Sequence, residues 1–83
     1  MSQKGRTPDE KFLMQLYKIA HANGDSSVAI DYRDIAFSLS LKETAVKNII
    51  KHLAQANFIK KVDETSIIIT QRGCDFVLNE LNI

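Results

Sequence analysis

The fold is decided by residues 31–59, which read Asp-Tyr-Arg-Asp-Ile-Ala-Phe-Ser-Leu-Ser-Leu-Lys-Glu-Thr-Ala-Val-Lys-Asn-Ile-Ile-Lys-His-Leu-Ala-Gln-Ala-Asn-Phe-Ile. This stretch predicts a short helix, a tight turn, a longer helix and the start of a strand. In the longer helix, Val46, Ile50 and Leu53 fall on one stripe, and residues 44, 47, 48 and 51 fall on the opposite side. The longer helix is therefore amphipathic: one side packs in a core, and the polar side is exposed and can bind a partner.

Ser40 leaves the start of the longer helix open. The spacing from Ser40 to Glu43 matches a capping box, which would begin the helix at Leu41. Alternatively, Ser40 lies within the tight turn and the helix begins further along the chain. Either way, the helix ends near Ala56, and Asn57 is a suitable residue for the left-handed conformation that follows a helix.

The first helix and a short strand precede this stretch. Thr7-Pro8-Asp9-Glu10 is typical of a helix start, because threonine caps, proline suits the first turn and glutamate closes a capping box. An apolar stripe follows until Asn23-Gly24, where glycine can adopt the left-handed conformation. Residues 28–30 then predict a short extended segment.

A hairpin and a last helix follow the stretch. Residues 58–62 and the β-branched residues 67–69 predict two strands joined by a turn. Thr70 caps a last helix that runs to about Leu81. Gly73 in its first turn weakens the helix, so we expect Gly73 to permit close packing against a neighbouring element.

Length and composition indicate one small domain. The chain has 83 residues, of which 45% are hydrophobic and 25% are charged. Its single cysteine, Cys74, excludes an internal disulfide and a multi-cysteine zinc site. Because no apolar run approaches the length of a membrane span or a signal-peptide core, we expect a cytoplasmic protein. We expect the domain to span residues 7–83 and residues 1–6 to form a flexible basic arm.

The positive charge is concentrated around the longer helix. The net charge of the chain is +1, yet residues 33–61 hold six Lys and Arg against two Asp and Glu. Residues 1–32 are balanced, and residues 62–83 hold one Arg against four acidic residues. A local basic excess of this kind is typical of a surface that binds nucleic acid.

The order of elements predicts a mainly α fold with a small β-hairpin, α-β-α-α-β-β-α, which is the arrangement of a winged helix-turn-helix. The core pattern resembles that of MarR-like and ArsR-like regulators of bacteria and archaea. Residues 67–77 resemble the same families' step from wing strand to last helix, and the resemblance covers residues 8–81. The core positions that carry it are Ile35, Ala36, Leu39, Leu41, Ala45, Val46, Ile50, Leu53, Ala56, Asn57, Phe58 and Ile59.

Two departures from the family pattern bear on function. Ser40 stands at the turn position where these families usually have glycine. The predicted wing tip carries Asp63 and Glu64, whereas many DNA-binding wings are basic. Acidic residues repel phosphate, so we expect little groove insertion by this wing.

The resemblance implies a small transcriptional regulator whose longer helix enters the major groove of double-stranded DNA. The positions that would face DNA are Lys42, Glu43, Thr44, Lys47, Asn48 and Lys51. Lysines bind phosphates as point charges, and asparagine can read an adenine edge. The alternative is a solvated helix face with a Glu43–Lys47 pair.

Lys60 and Lys61 at the foot of the hairpin are further candidates for phosphate contact. The alternative for both is the protection of an edge strand, which lysine often provides.

Apolar residues on the first and last helices predict a homodimer, because in the resembled families these helices often form a two-fold interface. Such a dimer would place two recognition helices about 34 Å apart, one turn of duplex. Alternatively, the two helices pack on each other within one chain. The residues concerned are Phe12, Leu16, Tyr17, Val77, Leu78, Leu81 and Ile83.

A second class of function is a winged helix that serves as a protein-interaction or dimerisation module without DNA binding. The near-neutral net charge and the acidic wing favour it. No catalytic set, cofactor motif or metal motif is visible, since His21 and His52 lack cysteine partners and Cys74 lies on an apolar face. We therefore expect neither enzyme activity nor a cofactor.

Overall fold

The helices and strands follow the predicted order. The computed structural model describes residues 7–24 and 28–81. The predicted arm, residues 1–6, and Ile83 lie outside the described residues. The described part contains α1 (Pro8–Ala22), β1 (Ile30–Asp31), α2 (Tyr32–Ser38), α3 (Glu43–Gln55), β2 (Ile59–Lys61), β3 (Ser66–Ile69) and α4 (Gln71–Phe76), which continues as a π-helical turn, Val77–Leu81. The prediction of a mostly helical domain with a small β-hairpin is confirmed.

Capping interactions fix the two ends of α1 as predicted. The Glu10 N–H donates to Thr7 Oγ1 at 3.2 Å, and the Thr7 N–H donates to Glu10 Oε1 at 3.1 Å. At the other end, Asn23 caps the helix and Gly24 adopts a φ of +95°. A residue with a Cβ would be strained at this φ, which explains the glycine.

The turn between α2 and α3 resolves the two alternatives for Ser40. Ser40 lies within the turn at a φ of +56°, and the Leu41 N–H donates to the Ala36 carbonyl at 2.9 Å. The helix begins at Glu43, and Lys42 precedes it as an N-cap without a side-chain hydrogen bond. The left-handed conformation at Ser40 supplies the chain reversal that glycine would otherwise provide.

The end of α3 is tied to the start of α4. Asn57 adopts the predicted left-handed conformation at a φ of +66°, and the Phe58 N–H donates to the Leu53 carbonyl at 2.9 Å. The Thr70 hydroxyl donates to the Asn57 carbonyl at 2.6 Å and accepts from the Gly73 N–H at 3.0 Å. Thr70 therefore caps α4, as predicted, and fastens it to the C-terminus of α3.

Three strands form one antiparallel sheet in the order β1-β3-β2. Ile30 pairs with Ile67, and Ile59 pairs with Ile69. Because side chains alternate along a strand, these isoleucines all face the core and are buried. The extended segment predicted at residues 28–30 forms a strand only at its end, where Ile30 pairs with the hairpin.

A single core unites the helices and the sheet. Its side chains are Phe12, Leu13, Leu16, Ala20, Ile30, Ile35, Val46, Ile49, Ile50, Leu53, Ile59, Ile67, Ile69, Cys74, Val77 and Leu81. Among the described residues, no helix is both long enough and apolar enough to cross a membrane.

The core accounts for most of the residues from which a homodimer was predicted. Phe12, Leu16, Val77 and Leu81 are buried within one chain. Leu78 keeps 45% of its surface exposed, and Tyr17 is half-buried. The packing of α1 against the C-terminal turn therefore explains these apolar residues, and the homodimer stays a prediction.

Gly73 permits close packing of α4, as predicted, and the structure shows that its neighbours are Phe58 and Ile69. A Cβ at this position would overlap the Phe58 carbonyl oxygen and would lie 2.8 Å from Ile69 Cγ1. A backbone carbonyl cannot move aside as a flexible side chain can, so only glycine allows α4 to pack this closely.

This contact predicts the effect of two matched substitutions. Gly73→Ala should lower the free energy of unfolding by about 2–3 kcal/mol, because it overpacks a rigid site. Gly24→Ala should cost about 1 kcal/mol, because its Cβ meets no neighbour and only the positive φ is strained. Urea unfolding followed by circular dichroism measures both. Equal stability of Gly73→Ala and the parent would contradict this packing of α4.

Candidate nucleic-acid interface

The predicted DNA-facing residues of α3 lie on one exposed side of the helix. Thr44, Lys47, Asn48 and Lys51 are all exposed, while the opposite side is buried in the core. Lys42, at the N-cap, is also exposed. The structure thus brings the α3 candidates together on one surface.

Gln55 also belongs to this surface. It is exposed and lies one helical turn beyond Lys51, at the i,i+4 spacing that places side chains on the same face. The spacing alone was sufficient to find it, because the helix was expected to continue to about residue 56.

An open groove of about 590 Å³ separates α3 from the hairpin and the start of α2. We call this surface the basic groove. Lys47 and Lys51 line it from α3, and Lys61 lines it from β2. Two consecutive elements, α3 and β2, therefore supply three lysines to one concave surface. Its full lining is Tyr32, Lys47, Ile50, Lys51, Ala54, Lys61 and Glu64.

The structure separates Lys60 from Lys61. Lys61 pairs with Ile67 and follows the buried Ile59 at a spacing of two, so it leans toward α3. Lys60 pairs with Ile68, and its side chain leaves from the opposite face of the sheet. The two lysines were predicted together, but only Lys61 lines the basic groove.

Tyr32 lines the groove from the first turn of α2, and its role was not predicted. Its backbone N–H donates to the Thr65 carbonyl at 2.9 Å, which ties the start of α2 to the hairpin. The sequence carries no signal for this placement, because a single tyrosine after a helix cap has no periodic partner. The contact between α2 and the hairpin alone brings the phenol to the groove.

The Glu43–Lys47 pair that the sequence suggested is present in α3, at 3.5 Å between Nζ and Oε2. Both side chains are exposed, and exposed pairs at this spacing contribute only about 0.3–0.5 kcal/mol. A phosphate can therefore replace Glu43 at little cost. Lys47 remains available to an anionic ligand.

The two acidic residues of the hairpin loop have different roles. The Asp63 carboxylate accepts hydrogen bonds from the Thr65 N–H at 2.9 Å and the Ser66 N–H at 2.8 Å. These backbone hydrogen bonds hold the pKa of Asp63 below its usual range. Glu64 lines the basic groove instead. Asp63 therefore shapes the loop, and Glu64 adds a carboxylate to the lining of the basic groove.

The remaining candidates for chemistry have structural partners. His52 Nδ1 lies 3.3 Å from Asp9 Oδ2, which joins α3 to α1. Cys74 is buried in the core. Arg33 Nη2 lies 2.8 Å from Asp31 Oδ2, and this hydrogen-bonded guanidinium lowers the pKa of Asp31. In the part of the chain that the structure describes, no three His, Cys, Asp or Glu side chains form a group that could hold a metal ion.

No protein-family model, no curated protein and no solved structure matches this chain. Function is therefore inferred from the chemistry of α3 and the basic groove.

From the hydrogen bonds of Asp63 in the hairpin loop, we predict that the stability of the protein depends on pH. Because the pKa of Asp63 is lowered in the folded protein, its contribution is fully present above the unfolded pKa of about 3.9 and is lost as the pH falls through the folded pKa. Asp63→Asn should therefore be less stable than the parent at neutral pH, and the difference should shrink below about pH 4. Urea unfolding over a pH series measures this difference.

Glu64→Gln is the matched control, since it removes a neighbouring carboxylate and leaves the hydrogen bonds of Asp63 in place. It should keep the loss of stability in acid that comes from the hydrogen bonds of Asp63. If the Asp63→Asn curve ran parallel to that of the parent through acid pH, the hydrogen bonds of the loop would not have the strength described.

Proposed function

We propose that this protein is a cytoplasmic winged helix-turn-helix that binds double-stranded DNA, acts as a small transcriptional regulator and docks α3 in the major groove. The observation that carries this proposal is the convergence of Lys47, Lys51 and Lys61 on one groove beside the exposed polar face of α3. Nucleic-acid backbones are bound by lysines gathered in this way from separate elements.

The arrangement of α2, α3 and the hairpin supports the winged helix part of the proposal. A tight turn at Ser40 connects α2 to α3, and the antiparallel pair β2–β3 follows α3 directly. In a helix-turn-helix, the second helix lies in the major groove and the first crosses the DNA backbone. The exposed side of α3 has the position that this docking requires.

The side chains of α3 divide into two roles. Lys47 and Lys51 are one turn apart, so they hold phosphates along the edge of the major groove. Thr44 and Asn48, one turn apart on the same exposed side, face the bases, where asparagine can pair with adenine and a threonine methyl can contact thymine. Lys42 stands at the N-terminus of α3 and adds a further phosphate contact.

The hairpin contributes to DNA binding through β2 and not through its loop. Asp63 is engaged in the loop and Glu64 faces the groove, so the tip offers no cation to DNA. Lys61 is the hairpin residue that we assign to a phosphate, and Lys60, on the other face of the sheet, supports the alternative of edge protection. In this proposal, α3 carries most of the affinity.

The alternative is a winged helix module that binds protein, possible partners including a second copy of this chain. Three exposed apolar side chains favour it: Phe37, Val62 and Leu78. Phe37 lies on α2, Val62 in the hairpin loop and Leu78 on the C-terminal turn, and exposed apolar residues that occur singly are ordinary for a protein surface. Of the described residues from which the homodimer was predicted, Tyr17 and Leu78 keep exposed surface.

The salt dependence of DNA binding tests the proposal. Each lysine–phosphate contact contributes about 0.9 to the slope of log affinity against log salt. Lys47→Ala combined with Lys51→Ala should therefore weaken binding to every duplex sequence and reduce the slope by about 2. Fluorescence anisotropy of a labelled random duplex, titrated at several salt concentrations, measures both quantities.

The two hairpin lysines provide the matched control. Lys61→Ala should reduce the slope by about 0.9, whereas Lys60→Ala should leave it unchanged, although both substitutions remove one charge from neighbouring positions. Binding of the double α3 variant with the affinity and slope of the parent would contradict the proposal. Equal effects of Lys60→Ala and Lys61→Ala would show that net charge, and not the groove, determines binding.

A further inference from the structure

Phe37 has the most exposed of the large hydrophobic side chains that the structure describes. It keeps 88% of its surface accessible, whereas Ile35, on the opposite side of the short helix α2, is fully buried. The phenyl ring contributes nothing to the core in this position. The role of an exposed aromatic ring depends on the surface beside it.

That surface is a second open groove, of about 380 Å³, which we call the aromatic groove. Phe37 and Tyr32 supply two aromatic rings, and Glu43 and Arg33 supply its charges. The full lining is Tyr32, Arg33, Ala36, Phe37, Leu41, Glu43 and Val46. The positive charge of Arg33 and the negative charge of Glu43 balance within this lining. The aromatic groove is therefore suited to a neutral, flat group and not to a phosphate.

The aromatic groove and the basic groove adjoin each other along one flank of α3. Tyr32 lines both of them. The aromatic groove takes Glu43 and Val46 from the N-terminal part of α3, and the basic groove takes its residues from Lys47 to Ala54. Together they follow α3 for about 16 Å, at a rise of 1.5 Å per residue. One end offers cations and the other offers aromatic faces.

The combination of a basic groove with an adjoining aromatic groove matches the chemistry of an unpaired nucleic-acid strand. Sites for single strands combine a positively charged groove along the backbone with aromatic side chains on which bases stack. In a duplex the base faces are hidden, so an exposed phenyl ring has nothing to stack on. Tyr32 and Phe37 are about 7.5 Å apart along the axis of α2, a distance that about two stacked nucleotides cover.

We propose that the two grooves together bind a duplex and an unpaired extension of it, with the duplex phosphates on Lys47, Lys51 and Lys61 and a base of the extension stacked on Phe37. This inference rests on the proposed function for the lysines, which hold the duplex. The contact between a base and Phe37 does not depend on the proposed function. The ligand class is therefore a duplex that carries an unpaired extension.

The test compares a labelled blunt duplex with the same duplex carrying an oligo-dT extension, using the full-length chain and fluorescence anisotropy. The parent should bind the extended duplex about tenfold more tightly than the blunt one, as expected for one stacked base. Phe37→Ala should lose this advantage and leave binding to the blunt duplex unchanged. Phe37→Tyr should restore it, because it returns an aromatic face.

Leu78→Ala is the matched control, because Leu78 is another exposed apolar residue and lines neither groove. It should bind both probes as the parent does. Since Phe37 is outside the core, Phe37→Ala should also unfold at the same temperature as the parent. The natural chain contains no tryptophan, so Phe37→Trp provides a unique fluorophore. Its emission should be quenched by the extended duplex and not by the blunt one.

Several results would overturn the inference. Equal affinity of the parent for both probes, or an equal loss of affinity for both probes in Phe37→Ala, would show that Phe37 does not bind an unpaired base. A change in solution mass between the parent and Phe37→Ala, measured by light scattering, would assign the ring to self-association. A different result, failure of the parent to bind the blunt duplex together with a Phe37-dependent affinity for the extended one, would refute major-groove docking and leave the stacking on Phe37 in place.

Discussion

The burial of one side of α3 determines which of its side chains are exposed to a ligand. Val46, Ile49, Ile50 and Leu53 are fixed in the core, where α3 packs against α1, α2 and β2. Each buried side chain of this size contributes about 1.5–3 kcal/mol, which is far more than any contact on the exposed face. The orientation of Lys47 and Lys51 is therefore set by the core and not by the charges themselves. A ligand therefore binds to a surface that the core has already preorganised.

The hairpin completes this surface by ordinary strand geometry. Alternation along β2 directs Lys61 toward α3 and Lys60 away from it, so one register choice decides which lysine joins the groove. The loop hydrogen bonds of Asp63 and the Tyr32–Thr65 backbone bond hold that register in place. Asp63, which repels phosphate, therefore has a structural role in the hairpin loop.

The elements with strong local signals were predictable from the sequence. The caps at Thr7 and Thr70 and the left-handed residues Gly24 and Asn57 are each determined within a few residues, and all were found as predicted. Gly73 was expected to permit close packing, but its neighbour, the Phe58 carbonyl, is known only from the structure. Ser40 was ambiguous because serine satisfies both a capping box and a turn. Only its positive φ distinguishes the two.

Features that depend on tertiary contacts were not predictable. Tyr32 lines both grooves only because α2 packs beside the hairpin, and no local pattern encodes that contact. The separation of Lys60 and Lys61 requires the register of a three-residue strand. Apolar residues on α1 and the last helix suit an internal core and a dimer interface equally well in sequence, and the structure places most of them in the core.

The most direct measurement of the central claim is a titration of the ¹⁵N-labelled protein with double-stranded DNA, followed by amide chemical shifts. If α3 and the basic groove form the interface, the largest changes will fall on residues 42–55 and 59–61, and the amides of α1 and of the C-terminal turn at residues 77–81 will stay near their free positions. Shifts confined to α1 and that turn, or no shifts at saturating DNA, would contradict the account.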